Sequence, residues 1–257
     1  MKKIGLSAVS YLNTVPIING IRDFSFSHDV EMSLDVPSEC ARKVVEGEVD
    51  LGLVPVAVIP EVANAEILSD HCIGSDGAVR SVILAGNVAA DSMNTIFLDP
   101  ESRTSVNLVR ILAREHWGIA PEWADAYPGF EDRIKEQQGA VVIGDKALRK
   151  AGNFNHVYDL SASWKELTGL PFVFAVWLAN KSLPESFKEE FSRALSAGVE
   201  SIGKISEDEL IDGTEIRLMD YLNENICYNL DDKKREGMNL FLSKLEKYRD
   251  NRLLNAG

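Results

Sequence analysis

Ile4-Gly-Leu-Ser-Ala-Val9 runs straight into Ser10-Tyr-Leu-Asn-Thr-Val-Pro16, and this join decides the fold. The first six residues read as a short apolar strand after the charged start Met1-Lys2-Lys3. A helix is expected over Ile17 to Phe24. Open α/β sheets bind small ligands in a polar loop between a first strand and a first helix. Asn13 and Thr14 bring side-chain donors to that loop, with Ser10 and Tyr11 beside them. The helix start adds backbone N–H groups that favour an anion. The competing reading is structural, with Asn13 capping the helix ahead of Pro16.

Working outward, the strand and helix signals alternate. Val30, Met32, Leu34 and Val36 are apolar while Glu31, Ser33 and Asp35 are polar, the period-two signature of a strand. Pro37-Ser38-Glu39 opens a helix over Cys40 to Glu46, ended by Gly47. Asp50 to Pro55 is a buried strand leading into a helix over Val56 to Val62. This βαβαβ order predicts a mostly parallel sheet with right-handed crossovers. A second series lies further on. It has a strand at Thr95 to Leu98, a helix at Val106 to Glu115, a strand at Ala140 to Ile143 and a helix at Lys146 to Lys150. The strongly apolar runs Ser81 to Ala85 and Phe172 to Leu178 are read as strands crossing between two lobes. Helices are expected over Glu185 to Ile202, Glu207 to Leu222 and Asp231 to Asn251.

One α/β unit nested in another matches the two-lobed, type-2 periplasmic-binding-protein layout. The sheets are flanked by helices, the C-terminus is helical and the ligand lies in a cleft between the lobes. The expected boundaries are 1–86 with 175–257 for lobe 1, and 87–174 for lobe 2.

With 257 residues, 45% apolar and 26% charged, the chain has ample material for a core. Its net charge of −13 argues against nucleic acid or an anionic membrane as partner. The opening apolar run is too short for a secretory signal, and no stretch reaches transmembrane length. Cys40, Cys72 and Cys227 are widely spaced and form no metal or redox motif, so a cytoplasmic location is expected. The four histidines are scattered, and no zinc site is expected.

Candidate binding residues cluster at loop positions. Ser102, Arg103, Thr104 and Ser105 put three hydroxyls and a guanidinium just ahead of a helix, a pattern suited to a carboxylate or to a simple N-cap. Gly144 and Asp145 end a buried strand at the ligand-binding edge. Asp145 reads first as the cap of a helix starting at Lys146, and second as a cleft residue. Ser81 opens a strand, as a cleft-facing hydroxyl or an ordinary polar strand start. Thr168 and Gly169 precede Pro171 at the entry to the second crossing strand. There is no P-loop, Rossmann glycine fingerprint or nucleophile elbow, and no carboxylate pair stands out as an acid/base couple.

These runs resemble the chorismate dehydratase family of the futalosine route to menaquinone. The resemblance rests on Val9 to Pro16, Asp50 to Pro55, Gly77 to Ser81, Ser102 to Ser105, Ile143 to Leu148, Asp159-Leu160 and Trp164 to Trp177. It implies elimination of water from chorismate to give 3-[(1-carboxyvinyl)oxy]benzoate, with Asn13 and Ser81 catalytic and Ser102 to Ser105 cradling a carboxylate. No metal or organic cofactor is implied, since dehydration with aromatisation is redox-neutral. The implied partner is a small carboxylated substrate, with a homodimer as an open option. Two alternatives share the fold: a non-catalytic small-anion binding protein and the sister enzyme 1,4-dihydroxy-6-naphthoate synthase.

Overall fold

The computed structural model describes residues 3–206 and 208–250, and the chain divides into two compact units. The first comprises Met1–Gly74, Val173–Ile211 and Glu215–Asp231; the second comprises Ser75–Phe172, Asp212–Thr214 and Asp232–Gly257.

The first unit is built on a six-stranded mixed sheet. Its elements are β1 (Ile4–Val9), α1 (Val15–Asp23), β2 (Val30–Asp35), α2 (Pro37–Val45), β3 (Leu51–Pro55) and β4 (Glu66–Ser75). A 3-10 helix at Val56–Glu61 stands where an α-helix was expected. The rest of the chain adds β5 (Val82–Gly86), β6 (Thr95–Leu98), α3 (Arg103–Glu115), β7 (Glu122–Asp125), β8 (Gln138–Ile143), α4 (Gly144–Lys150), β9 (His156–Asp159) and α5 (Leu160–Thr168). It continues with β10 (Phe172–Ala179), α6 (Glu185–Glu200), α7 (Leu218–Asp220), β11 (Cys227–Asn229) and α8 (Asp232–Asp250). Strand order in the first sheet is β11-β4-β10-β3-β1-β2. β1 pairs parallel with β2 and β3, as the βαβαβ reading requires, whereas β3 pairs antiparallel with β10 and β4 antiparallel with β11. β3 is buried at every position, as expected of a strand covered on both faces.

Two glycines set how α1 meets α6. A methyl on Gly20 would lie 2.2 Å from the Ala194 carbonyl oxygen, and one on Gly198 would lie 2.2 Å from the Pro16 carbonyl oxygen. The two backbones therefore approach as closely as glycine allows.

The second unit holds a five-stranded mixed sheet in the order β7-β6-β8-β5-β9. β6 pairs parallel with β7 and β8, and β5 pairs antiparallel with β8 and β9. Ile83, Ala85, Phe130, Ala140, Val142 and Ala147 form one of its core clusters. α8 belongs to this unit: Phe241 meets Trp164 and Phe172 edge to face, and Lys244 and Tyr248 both bond Glu115.

Several expectations change. The chain leaves the first unit after β4, not along Ser81 to Ala85, and residues 75–86 and α8 lie in the second unit rather than the first. An unbroken apolar run marks any strand covered on both faces, and β5 is buried at every position. Of the expected helix over Glu207 to Leu222, only α7 and the start of a π-helical turn at Tyr221 form within the described residues. Ile211 N–H bonds the Ile216 carbonyl around Gly213, whose φ is +75°, and Leu210 bridges Arg217. Asp212-Gly213 is a strong turn signal that overrides helical periodicity. Glu207 and Asn251, which bound two expected helices, lie outside the described residues.

Candidate functional site

In the first unit the loop after β1 makes a 3-10 turn, Leu12–Thr14, before α1. Thr14 is buried, and its hydroxyl is committed locally. It lies 2.5 Å from the Val9 carbonyl oxygen and 2.7 Å from that of Tyr11, and it accepts from Tyr11 N–H. It therefore clamps the turn rather than presenting a free donor. Ser10 is exposed, and its N–H bonds the Asp35 carbonyl. Asn13 does not cap α1, because Thr14 occupies that position. The Asn13 Oδ1 is buried with no hydrogen-bond partner, while its backbone carbonyl accepts from the Tyr228 hydroxyl at 2.8 Å. A buried carboxamide oxygen without a protein partner costs roughly 1–3 kcal/mol.

Behind this loop Asp35 gathers Ser7 Oγ, Ser33 Oγ and Lys43 Nζ at 2.8, 2.6 and 2.7 Å. Burial works to raise its pKa, but these hydrogen bonds together hold the carboxyl below the ordinary aspartate range. Cys40 Sγ lies 3.1 Å from the same Ser7 Oγ, and burial pushes the Cys40 thiol up to about 11. The cluster ties β1, β2 and α2 together at the end where Ser10 emerges.

In the second unit Ser81 is 1% exposed and directly precedes β5. Its carbonyl accepts from Gly144 N–H at 2.7 Å, and its hydroxyl makes only a long contact, 3.4 Å, to the Val79 carbonyl. Arg80 before it has φ +62°, a left-handed conformation rare for a side chain with a Cβ. Asp159 holds that turn. Its carboxylate accepts from Arg80 N–H at 2.6 Å and caps α5 through Ser161 and Ala162 N–H at 3.0 Å each. Burial pushes its carboxyl above the ordinary range, opposed by these backbone donors.

Ser102 is the N-cap of α3, accepting from Ser105 N–H and donating to Ser105 Oγ at 2.7 Å. Thr104 and Ser105 are buried and Arg103 is exposed. Asp99, also buried, pairs with Lys146 at 3.4 Å. Gly144, φ +63°, is the first residue of α4, so Asp145 sits inside the first turn and is not the cap that the sequence reading favoured. The Thr168 hydroxyl donates to the Trp164 carbonyl, and Gly169, φ +75°, ends α5. Two surface hollows, about 320 Å³ beside His28 and Asp50 and about 680 Å³ beside Asn94 and Gln137, are lined by none of the expected site residues.

Sequence reasoning passed over Tyr228, Asp159 and Asp35 as functional positions. The alternation Ile226-Cys227-Tyr228-Asn229-Leu230 signals a strand for Tyr228, and Asp159 before Leu160-Ser161-Ala162 is an N-cap pattern. Among the described residues no group of three or more His, Cys, Asp or Glu is placed to hold a metal ion, and no helix is long and apolar enough to cross a membrane.

Two mixed sheets flanked by helices, each unit carrying donors at its strand ends, define a protein of the periplasmic-binding-protein fold. The crystal structure of the periplasmic aliphatic sulphonate binding protein from Escherichia coli matches with a TM-score of 0.59 at 12% identity, over 99% of this chain and 94% of that one. The chain belongs to the menaquinone biosynthesis family, whose model matches residues 4–247. It is 27% identical over 266 aligned residues to a chorismate dehydratase of Thermus thermophilus, covering 95% of this chain and 96% of that protein. A chorismate dehydratase of Campylobacter jejuni is 25% identical over 90% of this chain and 89% of its own length.

Proposed function

We propose that this protein is a hydro-lyase that removes water from chorismate, giving 3-[(1-carboxyvinyl)oxy]benzoate for menaquinone synthesis by the futalosine route. The observation that carries the reading is the buried, unpaired Asn13 Oδ1 in a chain of the menaquinone biosynthesis family. The substrate loses a ring hydroxyl and a ring proton, and the ring becomes aromatic. Aromatisation supplies driving force, so the protein chiefly positions and polarises.

In this reading the substrate's enolpyruvyl carboxylate takes the ring proton. Asn13 and Ser81 orient the reacting groups. Ser10 and Tyr11, the Ser102 to Ser105 turn with Arg103, the Gly144 backbone, and Thr168 with Gly169 supply the surrounding polar contacts. Thr14 acts by fixing the turn that carries Asn13. Asp145 is the competing proton acceptor.

Steady-state kinetics with binding measured separately tests this. Asn13→Ala should lower kcat by roughly 10²-fold with little change in chorismate Kd, as for loss of one preorganised polar group. Asp145→Asn should keep near-normal turnover. The reverse pattern would transfer the proton-accepting role to Asp145.

A further inference from the structure

Tyr228 lies in a stretch of chain that the candidate motifs do not reach, yet it touches the candidate site. Its hydroxyl donates to the Asn13 backbone carbonyl at 2.8 Å across 215 residues of sequence. The ring is 6% exposed, and burial, with Tyr221 beside it, holds the phenol protonated well above its usual range. It is therefore a donor at any physiological pH.

Local backbone irregularity surrounds this residue. Cys227 pairs with Gly74 and Asn229 with His71, so the register of β11 on β4 slips by one residue at Tyr228. Such slips re-aim side chains and recur beside active sites. A π-helical turn, Tyr221–Asn225, immediately precedes the strand, and π-turns too are concentrated at functional positions. The Tyr228 bond lands on a residue of the β1–α1 turn whose side-chain oxygen is buried and unpaired.

We infer that Tyr228 is a positioning residue, anchoring the Asn13 backbone so that the Asn13 carboxamide stays aimed at the substrate. The inference rests on the dehydratase reading for its kinetic consequence, though not for its geometry. Thr14 fixes the turn from the β1 side through the Val9 carbonyl, and Tyr228 fixes it from the opposite end of the first sheet order.

Tyr228→Phe removes only the hydroxyl and keeps the buried ring. It should lower kcat on chorismate roughly tenfold, the value of one hydrogen bond, with KM and the thermal midpoint nearly unchanged. In an Asn13→Ala background the same substitution should have no further effect on kcat, because Tyr228 acts through Asn13. The Asn13 side-chain amide resonances, assigned by their loss in Asn13→Ala, should shift and broaden in Tyr228→Phe. This last readout needs no turnover. If wild-type protein leaves chorismate unchanged, the dehydratase reading fails while the amide resonances still decide the anchoring. Unshifted Asn13 resonances overturn the inference, as does a Tyr228→Phe effect on kcat that is fully additive with Asn13→Ala.

Discussion

Gly198→Ala should destabilise the protein, against the usual effect of that change in a helix. Alanine in a helix interior ordinarily gains about 1 kcal/mol over glycine. Here the new methyl would lie 2.2 Å from the Pro16 carbonyl oxygen and 3.0 Å from Gly20 Cα. Heavy atoms in favourable contact sit about 3.5 Å apart, so α1 and α6 must part by roughly 1 Å. Both obstructing atoms are backbone, and no side chain can swing aside. Overpacking of this kind costs about 1–3 kcal/mol, leaving a net loss of up to about 2 kcal/mol once the propensity gain is subtracted. For a chain of this size each kcal/mol moves the thermal midpoint by about 2–4 °C. Circular dichroism melts should therefore show Gly198→Ala lower by several degrees. Gly203→Ala is the control: nothing lies within 4 Å of its added methyl, and it should be neutral or slightly stabilising. A Gly198→Ala midpoint at or above wild type would refute the close approach of the two helices. The substitution also presses on Pro16, three residues beyond Asn13, so a stable variant should show reduced turnover.

Asp159→Ala removes the α5 cap and the bond that restrains Arg80. A loss of about 2–4 kcal/mol is expected in urea titrations, and one below 0.5 kcal/mol would show that the turn before Ser81 holds without it. Asp35 tests the acid limb. Its folded-state pKa lies below the unfolded value, so between the two the unfolded chain binds more protons and stability rises with pH. That contribution is whole above the unfolded aspartate pKa, about 3.9, and disappears as pH falls through the folded value. Asp35→Asn should flatten this limb of the stability profile, and an unchanged profile would assign acid sensitivity to other carboxylates.

The join of β1 to α1 was legible because three local signals agree: an apolar run, a polar loop and a proline in the first helical turn. β2 was legible for a simpler reason, since its residues alternate with period two at a sheet edge, although apolar Leu34 ends up exposed and Asp35 half-buried. β4 was not. Its Glu66, Ser69, Asp70 and His71 interrupt the apolar pattern of a strand whose later half is buried. The direction of β3 against β10 has no sequence signature either, because both are covered on two faces and alternate in neither. At the site, sequence identified polar residues without revealing where their hydrogen bonds go. Thr14, Ser102, Ser105 and Thr168 spend hydroxyls on their own turns, whereas Asn13 keeps a buried oxygen unpaired. Tyr228 was out of reach for the same reason. Its partner lies 215 residues away, and only the folded first unit brings the two together.

The most direct measurement is incubation of the purified protein with chorismate, with products followed by liquid chromatography and mass spectrometry. The account predicts a product lighter than chorismate by one water, matching 3-[(1-carboxyvinyl)oxy]benzoate, formed by wild type and about 10²-fold more slowly by Asn13→Ala. Chorismate recovered unchanged, with a carboxylated aromatic bound tightly instead, would contradict it and leave a binding protein of the same fold.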